Sequence, residues 1–398
     1  MRFKLGRKGS AKVAGWFNSR IGVDNSTFGH TAGVLNFAFL GTLRLTLSNL
    51  PTITFENISI AQGHSGASNN WWFGGYKCFN TNDNRVHAIG KARDGMDDVY
   101  YCVMFWRGGN DVNEYKIESV EKIDPNWMRD IEGSLPLGQL SIPGTHDSGT
   151  KLAATGASRC QNFSIEAQLY HGIRFFDIRL KYDRNSLGVF HGSDYCDITF
   201  NKVLTWCKNY LSEYVNETIL MSVKNEGGGD ITAAFRGTMK NYSELFLDTK
   251  KIPTLQEARG KIVLLCRFHY TDNGIYLNNG WEDNKSFCIK SQTEPVQKFY
   301  IADEYNASGQ KKLEGVEKNI NKARTDKDTA GYYLTFNSTA FMLWTPYEYS
   351  RDMNPKLQNY LKGKLNCGKF GTIMLDYYNN HGEFGENALV ELIIANNK

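Results

Sequence analysis

The sequence predicts an α/β protein, a distorted (β/α) TIM-type barrel preceded by a small, sandwich-like all-β domain. Three observations carry this reading. Short runs with period-two alternation and no convincing amphipathic helix fill residues 1–118. From residue 119 to 398, apolar runs bounded by turn signals alternate with helical patterns, as in sheets buried on both faces. Finally, the length of 398 residues exceeds one average domain, so a boundary near 118 is expected.

The first domain is read from "LNFAFLG" (35–41), "LRLTLSN" (43–49), "TITFENISI" (52–60), "WWFGGYKC" (71–78) and "VYYCVMFW" (99–106). Ile53 and Phe55 share one face, as do Ile58 and Ile60. Gly-, Asn- and Asp-rich stretches such as "GHSGASNN" separate the runs as loops. Trp71 and Trp72 fit a sandwich core, or a sugar or lipid contact if exposed. The domain is expected to be a membrane- or glycan-targeting accessory module.

The second domain offers strands at 140–144, 173–180, 187–192, 218–225, 261–268, 331–338 and 371–378. Helical patterns lie at 199–215, 230–246, 354–363 and 386–397. The first of these places Val203, Cys207, Tyr210, Leu211 and Tyr214 on one face. The Pro143-Gly144 pair is expected to end the first strand at the barrel mouth.

Composition removes several function classes. The net charge of +4 is too small for a nucleic-acid binder, though it favours approach to anionic lipid or phosphate. Eight cysteines without a C-x-x-C spacing give neither a zinc ribbon nor a thioredoxin-type site. No run of apolar residues is long enough to span a membrane, and the basic N-terminus shows no export signal.

In a barrel of this kind, chemistry sits at the C-terminal ends of the strands. Those ends carry His146 and Asp147, then Asp177 and Arg179, His191, Lys224, Arg267 and Asp376. Each alone has a bland reading, as a satisfied histidine or a solvated charge. Their joint placement at one mouth points to a site. Two imidazoles suit a general base and a general acid, carboxylates can orient them, and Arg179 offers a planar cation for phosphoryl oxygens. The chemistry that fits is phosphodiester cleavage. No H-E-x-x-H, His-x-His or dense carboxylate cluster signals a metal, so no metal or other cofactor is expected.

Residues 119–398 resemble bacterial-type phosphatidylinositol-specific phospholipase C. The resemblance rests on "NWMRDIEGSLPLGQLSIPGTHDSGT", "GIRFFDIRL", "GVFHG", "NETILMSVKNE", "ARGKIVLLCRF", "LTFNSTAFMLWTPYEYSRDMNPKLQNYLKGK" and "GTIMLDYYNN", in that order. It implies metal-independent attack of the inositol 2-hydroxyl on phosphorus, releasing diacylglycerol and inositol 1,2-cyclic phosphate, with slow opening of the cyclic ester afterwards. It also implies roles: His146 as base supported by Asp376, His191 as acid partnered by Asp147, and Arg179 on the phosphate. Lys224, Arg267, Asp303 and Tyr305 fall where the family binds inositol, with Asp177 in support. The implied partner is an inositol phospholipid, phosphatidylinositol or a glycosylated form, at a membrane surface. A monomer that is secreted or acts at an external membrane surface is expected, a cytoplasmic location being the alternative.

Phe341, Met342, Leu343 and Trp344 form an apolar rim suited to interfacial insertion, Trp344 above all. The stretch "GTKLAATGASRC" is small and polar where relatives carry a more apolar rim. Two rival classes stand beside this reading. One is a metal-dependent barrel phosphodiesterase, against which Arg179 argues. The other is a catalytically weak phosphoinositide- or glycan-binding protein.

Overall fold

In a computed structural model, the chain divides into two compact units, residues 1–122 with 382–386 and residues 123–381 with 387–398. The structure describes residues 124–398 except 184, 292–295, 308, 329, 342–343, 379–387 and 398; before residue 124 it describes only the backbone of ten strands. Those ten form one sheet, in which Arg2–Arg7 runs parallel to Asn113–Ser119 and every other pairing is antiparallel. The side chains of Trp71 and Trp72 lie outside the described residues.

The second unit is a curled sheet flanked by helices. Its strands are β1 (Ile142–Thr145), β2 (Phe175–Asp183), β3 (Ser186–His191), β4 (Asp194–Thr199), β5 (Ile219–Asn225), β6 (Ile262–Arg267), β7 (Ile275–Tyr276), β8 (Ser286–Lys290), β9 (Lys298–Ala302), β10 (Tyr332–Phe336) and β11 (Thr372–Leu375). Neighbours run β7-β6-β5-β2-β1-β11-β10-β9-β8, with β3 and β4 as a hairpin on β2. All pairs along the main path are parallel except β8 with β9. Among the described residues the path does not return from β7 to β8, so the barrel they form is open on that side.

Burial follows the parallel-sheet logic. Phe175, Phe176, Ile178, Leu220, Met221, Val223, Val263 and Leu264 are inaccessible on both faces of their strands. At the end opposite the strand C-termini, fully buried Arg174 meets the Glu217 carboxylate at 2.6 Å. It also donates to the carbonyls of Leu169 and Ile173. A buried pair of this kind needs such extra partners to offset its desolvation.

The helices are α1 (Ile165–Tyr170), α2 (Phe200–Glu213), α3 (Thr232–Asn241), α4 (Leu255–Ala258), α5 (Gly309–Thr325), α6 (Pro346–Lys362) and α7 (Ala388–Ala395). Helix α2 buries Val203, Cys207, Tyr210 and Leu211 on its expected face. Three expectations need correction. The first strand does not end at Pro143-Gly144 but runs through them to Thr145. Gly144 is needed for close packing, because a Cβ there would lie 2.7 Å from Met374 Sδ and 2.9 Å from Phe175 Cβ. Helix α6 starts at Pro346, eight residues before the expected 354; Thr345 caps it, Pro346 takes its first turn and Glu348 completes a capping box. His191 ends an antiparallel hairpin strand rather than a barrel strand.

Candidate active site

The sheet curls so that the C-terminal ends of β1, β2, β5, β6, β9 and β11 open on one cavity of about 670 Å³. Its walls include His146, Arg179, His191, Lys224, Arg267, Asp303, Tyr305 and Asp376. Asp147 and Asp177 lie just beneath, almost wholly buried.

The turn after β1 sets the geometry. His146 N–H still donates to the Leu375 carbonyl of β11 (3.1 Å). Asp147 then takes a left-handed backbone, φ +43°, a conformation that costs energy for a residue with a side chain. Several bonds hold it there. Asp147 N–H donates to Asp177 Oδ2 (3.2 Å), and Ser148 N–H donates to the Asp177 carbonyl (3.0 Å). Gln161 Nε2 donates to the carbonyls of His146 and Leu375, 2.8 Å each, tying the turn to the end of β11.

His146 is held through both ring nitrogens. Nδ1 lies 2.9 Å from Asp376 Oδ1, and Nε2 lies 2.9 Å from Arg179 Nη2. A guanidinium nitrogen can only donate, so Nε2 is the acceptor and the ring proton sits on Nδ1, facing an Asp376 carboxylate. Burial, and then the Arg179 charge, push the imidazole well below its ordinary pKa. Burial and the nearby Asp147 push Asp376 upward. The hydrogen-bond pattern makes Asp376 Oδ1 the acceptor, so the resting ring is a neutral imidazole held by Asp376. Such a ring can take a proton at Nε2.

Arg179 is the hub. Its Nε lies 2.9 Å from Asp147 Oδ1, its Nη2 3.1 Å from Asp177 Oδ2 and its Nη1 3.7 Å from Glu226 Oε1. Burial would raise the Asp177 carboxyl, but Arg179 and Arg267 outweigh it and hold Asp177 well below the usual range. Asp147 goes the other way, raised to about 6 chiefly by burial.

His191 differs from the expectation. Asp147 Oδ2 is 3.8 Å from His191 Nε2, beyond hydrogen-bond reach, and only 3.2 Å from His146 Nε2. The ring is oriented instead by Ser158, whose carbonyl accepts from Nδ1 at 2.7 Å. The carboxylate thus stands between the two imidazoles rather than behind one.

The remaining expected residues line the cavity. Lys224 Nζ pairs with Glu226 at 2.8 Å. Arg267 pairs with Asp177 at 3.3 Å and lies against Trp281, 3.7 Å from its ring centroid. Burial raises the Asp303 carboxyl, against the pull of Arg267 and Lys312. Tyr305 donates to the Asp283 carboxylate at 2.9 Å. At the rim, Trp344 is 57% exposed and packs on Tyr349, and half-buried Phe341 faces the cavity. Met342 and Leu343 lie outside the described residues.

Sequence reasoning missed Glu226, Ser158 and Trp281. Glu226 follows Lys224 at the end of β5, and a charge two residues along a strand shares its face. Trp281 interrupts the polar run "NNGWEDN", a signal that was available. His146, Asp147 and Cys160 offer ligand atoms within 4.8 Å of one another, spacing that suits a metal ion. Arg179, 2.9 Å from both His146 and Asp147, fixes a positive charge in that space and disfavours a cation.

Residues 135–268 match the family model described as "Phosphatidylinositol-specific phospholipase C, X domain". The chain is 30% identical over 308 residues to a 1-phosphatidylinositol phosphodiesterase of Staphylococcus aureus, covering 71% of this chain and 96% of that one. It belongs to the phosphatidylinositol-specific phospholipase C family. The corresponding enzyme of Listeria monocytogenes is 28% identical, with 68% and 84% covered. A mutant phosphatidylinositol-specific phospholipase C from Staphylococcus aureus superposes with a TM-score of 0.64 at 30% identity, covering 70% of this chain and 98% of that one. The Listeria phosphatidylinositol-specific phospholipase C has the same fold, at a TM-score of 0.58 and 24% identity. The barrel that the family shares is therefore the barrel described above.

Proposed function

We propose that this chain cleaves phosphatidylinositol, or a glycosylated form of it, without a metal ion. The single observation that carries this is the Arg179 guanidinium set against Nε2 of His146, with His191 on the wall of the same cavity. Nε2 of His146 takes the proton of the inositol 2-hydroxyl as that oxygen attacks phosphorus. The phosphorus–oxygen bond to glycerol breaks, and Nε2 of His191 gives its proton to the departing glycerol oxygen. The products are diacylglycerol and inositol 1,2-cyclic phosphate. Water can then open the ring with the two histidines exchanging roles.

Arg179 supplies the positive charge for the phosphoryl oxygens, pre-aimed by Asp147 and Asp177. Its place among three carboxylates is one that a divalent cation would otherwise neutralise, which supports metal independence. Lys224, Arg267, Asp303 and Tyr305 bind the inositol ring, and Trp344 with Phe341 meets the bilayer. The described residues include no helix long and apolar enough to cross a membrane. Action at an external membrane surface, as a monomer, completes the proposal.

The test is turnover of phosphatidylinositol vesicles by the intact chain and by His146→Ala and His191→Ala. Each variant should keep its fold by circular dichroism and lose turnover. Near-normal activity in either would overturn the two-histidine mechanism.

A further inference from the structure

The hairpin that carries His191 is fastened to the loop at 153–160 by a closed ring of contacts. Asp194 faces His191 directly across the β3–β4 pair. Its Oδ2 accepts from Ser158 Oγ at 2.6 Å and from Thr155 Oγ1 at 2.9 Å. Ser158 in turn presents its carbonyl to His191 Nδ1 at 2.7 Å. The circuit runs from imidazole to carbonyl, along the serine to its hydroxyl, into the Asp194 carboxylate and back through the hairpin backbone.

Within the loop, Thr155 Oγ1 lies 2.9 Å from Ser158 Oγ, its single proton shared between that oxygen and Asp194, and Ser158 N–H donates to the Thr155 carbonyl (3.2 Å). The two hydroxyls therefore reach the carboxylate as one unit. They also hold the Asp194 carboxyl below its usual range, so it stays an acceptor through the neutral region. On the other side of the tip, Gly192 N–H donates to Glu226 at 3.1 Å. Asp194 itself does not line the cavity.

We propose that Asp194, acting through Thr155 and Ser158, is a positioning residue for His191. It fixes the Ser158 carbonyl on Nδ1, which leaves Nε2 as the nitrogen turned to the leaving oxygen. The small, polar stretch "AATGAS" then has a reason to be polar: its hydroxyls are the clamp. A general acid displaced by a fraction of an ångström loses effect steeply, so the clamp bears on rate rather than on binding.

This inference rests on the proposed role of His191 as acid, and the experiment separates the two. The substrates are a short-chain, monomeric phosphatidylinositol and an aryl ester of inositol 1-phosphate, whose phenolate leaves without help from an acid. His191→Ala should lose activity on the lipid by about 10²-fold or more and far less on the aryl ester. That contrast establishes the acid. Asp194→Ala should then lose about 10-fold in kcat on the lipid, with KM little changed and the aryl ester turned over within about 2-fold of the parent. Asp194→Asn, which keeps one acceptor oxygen, should recover part of the lipid activity. Equal losses on both substrates, or no loss on the lipid, would overturn the clamp while leaving the acid intact. A His191→Ala enzyme that treats both substrates alike would overturn the acid itself.

Discussion

The Arg179 guanidinium stands 2.9 Å from Nε2 of His146, on the side of the ring opposite the Asp376 contact. In the resting site, the nitrogen proposed to take the inositol proton is already occupied by the cation proposed to meet the phosphate. Arrival of the phosphodiester gives Arg179 a better partner, an anionic oxygen, and frees Nε2 at the moment it is needed. On the proposed roles, phosphate recognition would be linked to exposure of the base.

Arg179→Lys tests that link. A lysine keeps the charge but loses the fork that spans Asp147 and Asp177. The expected result is a fall in kcat of about 10²- to 10³-fold with a smaller change in KM. Steady-state kinetics on monomeric substrate measure both, and a lysine enzyme within a few-fold of the parent would sink the fork argument.

Asp376→Asn probes the other side of His146. The asparagine still offers an oxygen to Nδ1–H but cannot carry the negative charge that would support the imidazolium formed when Nε2 takes a proton. Turnover should fall by about 10²-fold or more while the thermal midpoint holds or rises, because a buried carboxylate has been neutralised. Unchanged kcat would show that the Asp376 charge does not support the base.

Buried His171 gives a pH prediction away from the cavity. Its Nδ1 meets the Tyr378 hydroxyl at 2.6 Å, and burial lowers its pKa to about 3. An unfolded histidine titrates near ~6.5, so the unfolded chain binds the extra proton first. The contribution of the neutral folded ring is therefore complete above about 6.5 and is lost progressively as pH falls towards 3. Urea unfolding across that window should show a shallower acid loss for His171→Gln than for the parent. Parallel curves would contradict the assignment.

At the rim, 57% exposed Trp344 is expected to serve the bilayer rather than the chemistry. Trp344→Ala should weaken binding to phosphatidylinositol vesicles several-fold in a sedimentation assay and leave hydrolysis of a monomeric short-chain substrate near the parent value. An equal loss on both would assign the residue to the chemistry rather than to the bilayer.

Much of the site was legible because parallel strands end in charge. His146, Asp177, Arg179, Lys224, Arg267 and Asp376 each follow or close an apolar run, and one face of the sheet gathers them. What was not legible depended on pairing that no linear pattern records. His191 sits on an excursion from β2, and its orienting partner is a backbone carbonyl from a loop remote in sequence. Glu226 could have been inferred from the alternation at the end of β5. Helix α5 was also within reach, since Leu313, Val316, Ile320 and Ala323 recur at helical spacing and are buried. Pro143 and Gly144 misled because turn propensity reads the same where a central strand needs a residue without a side chain for close approach.

The central claim is intramolecular attack assisted by two histidines and an arginine, with no metal. It is tested most directly by following phosphorus NMR of phosphatidylinositol vesicles incubated with the intact chain and excess chelator. The account predicts a five-membered cyclic phosphate as the first product, appearing at the same rate with and without chelator. No product under chelation, restored by calcium, would contradict it and put a cation where Arg179 is assigned.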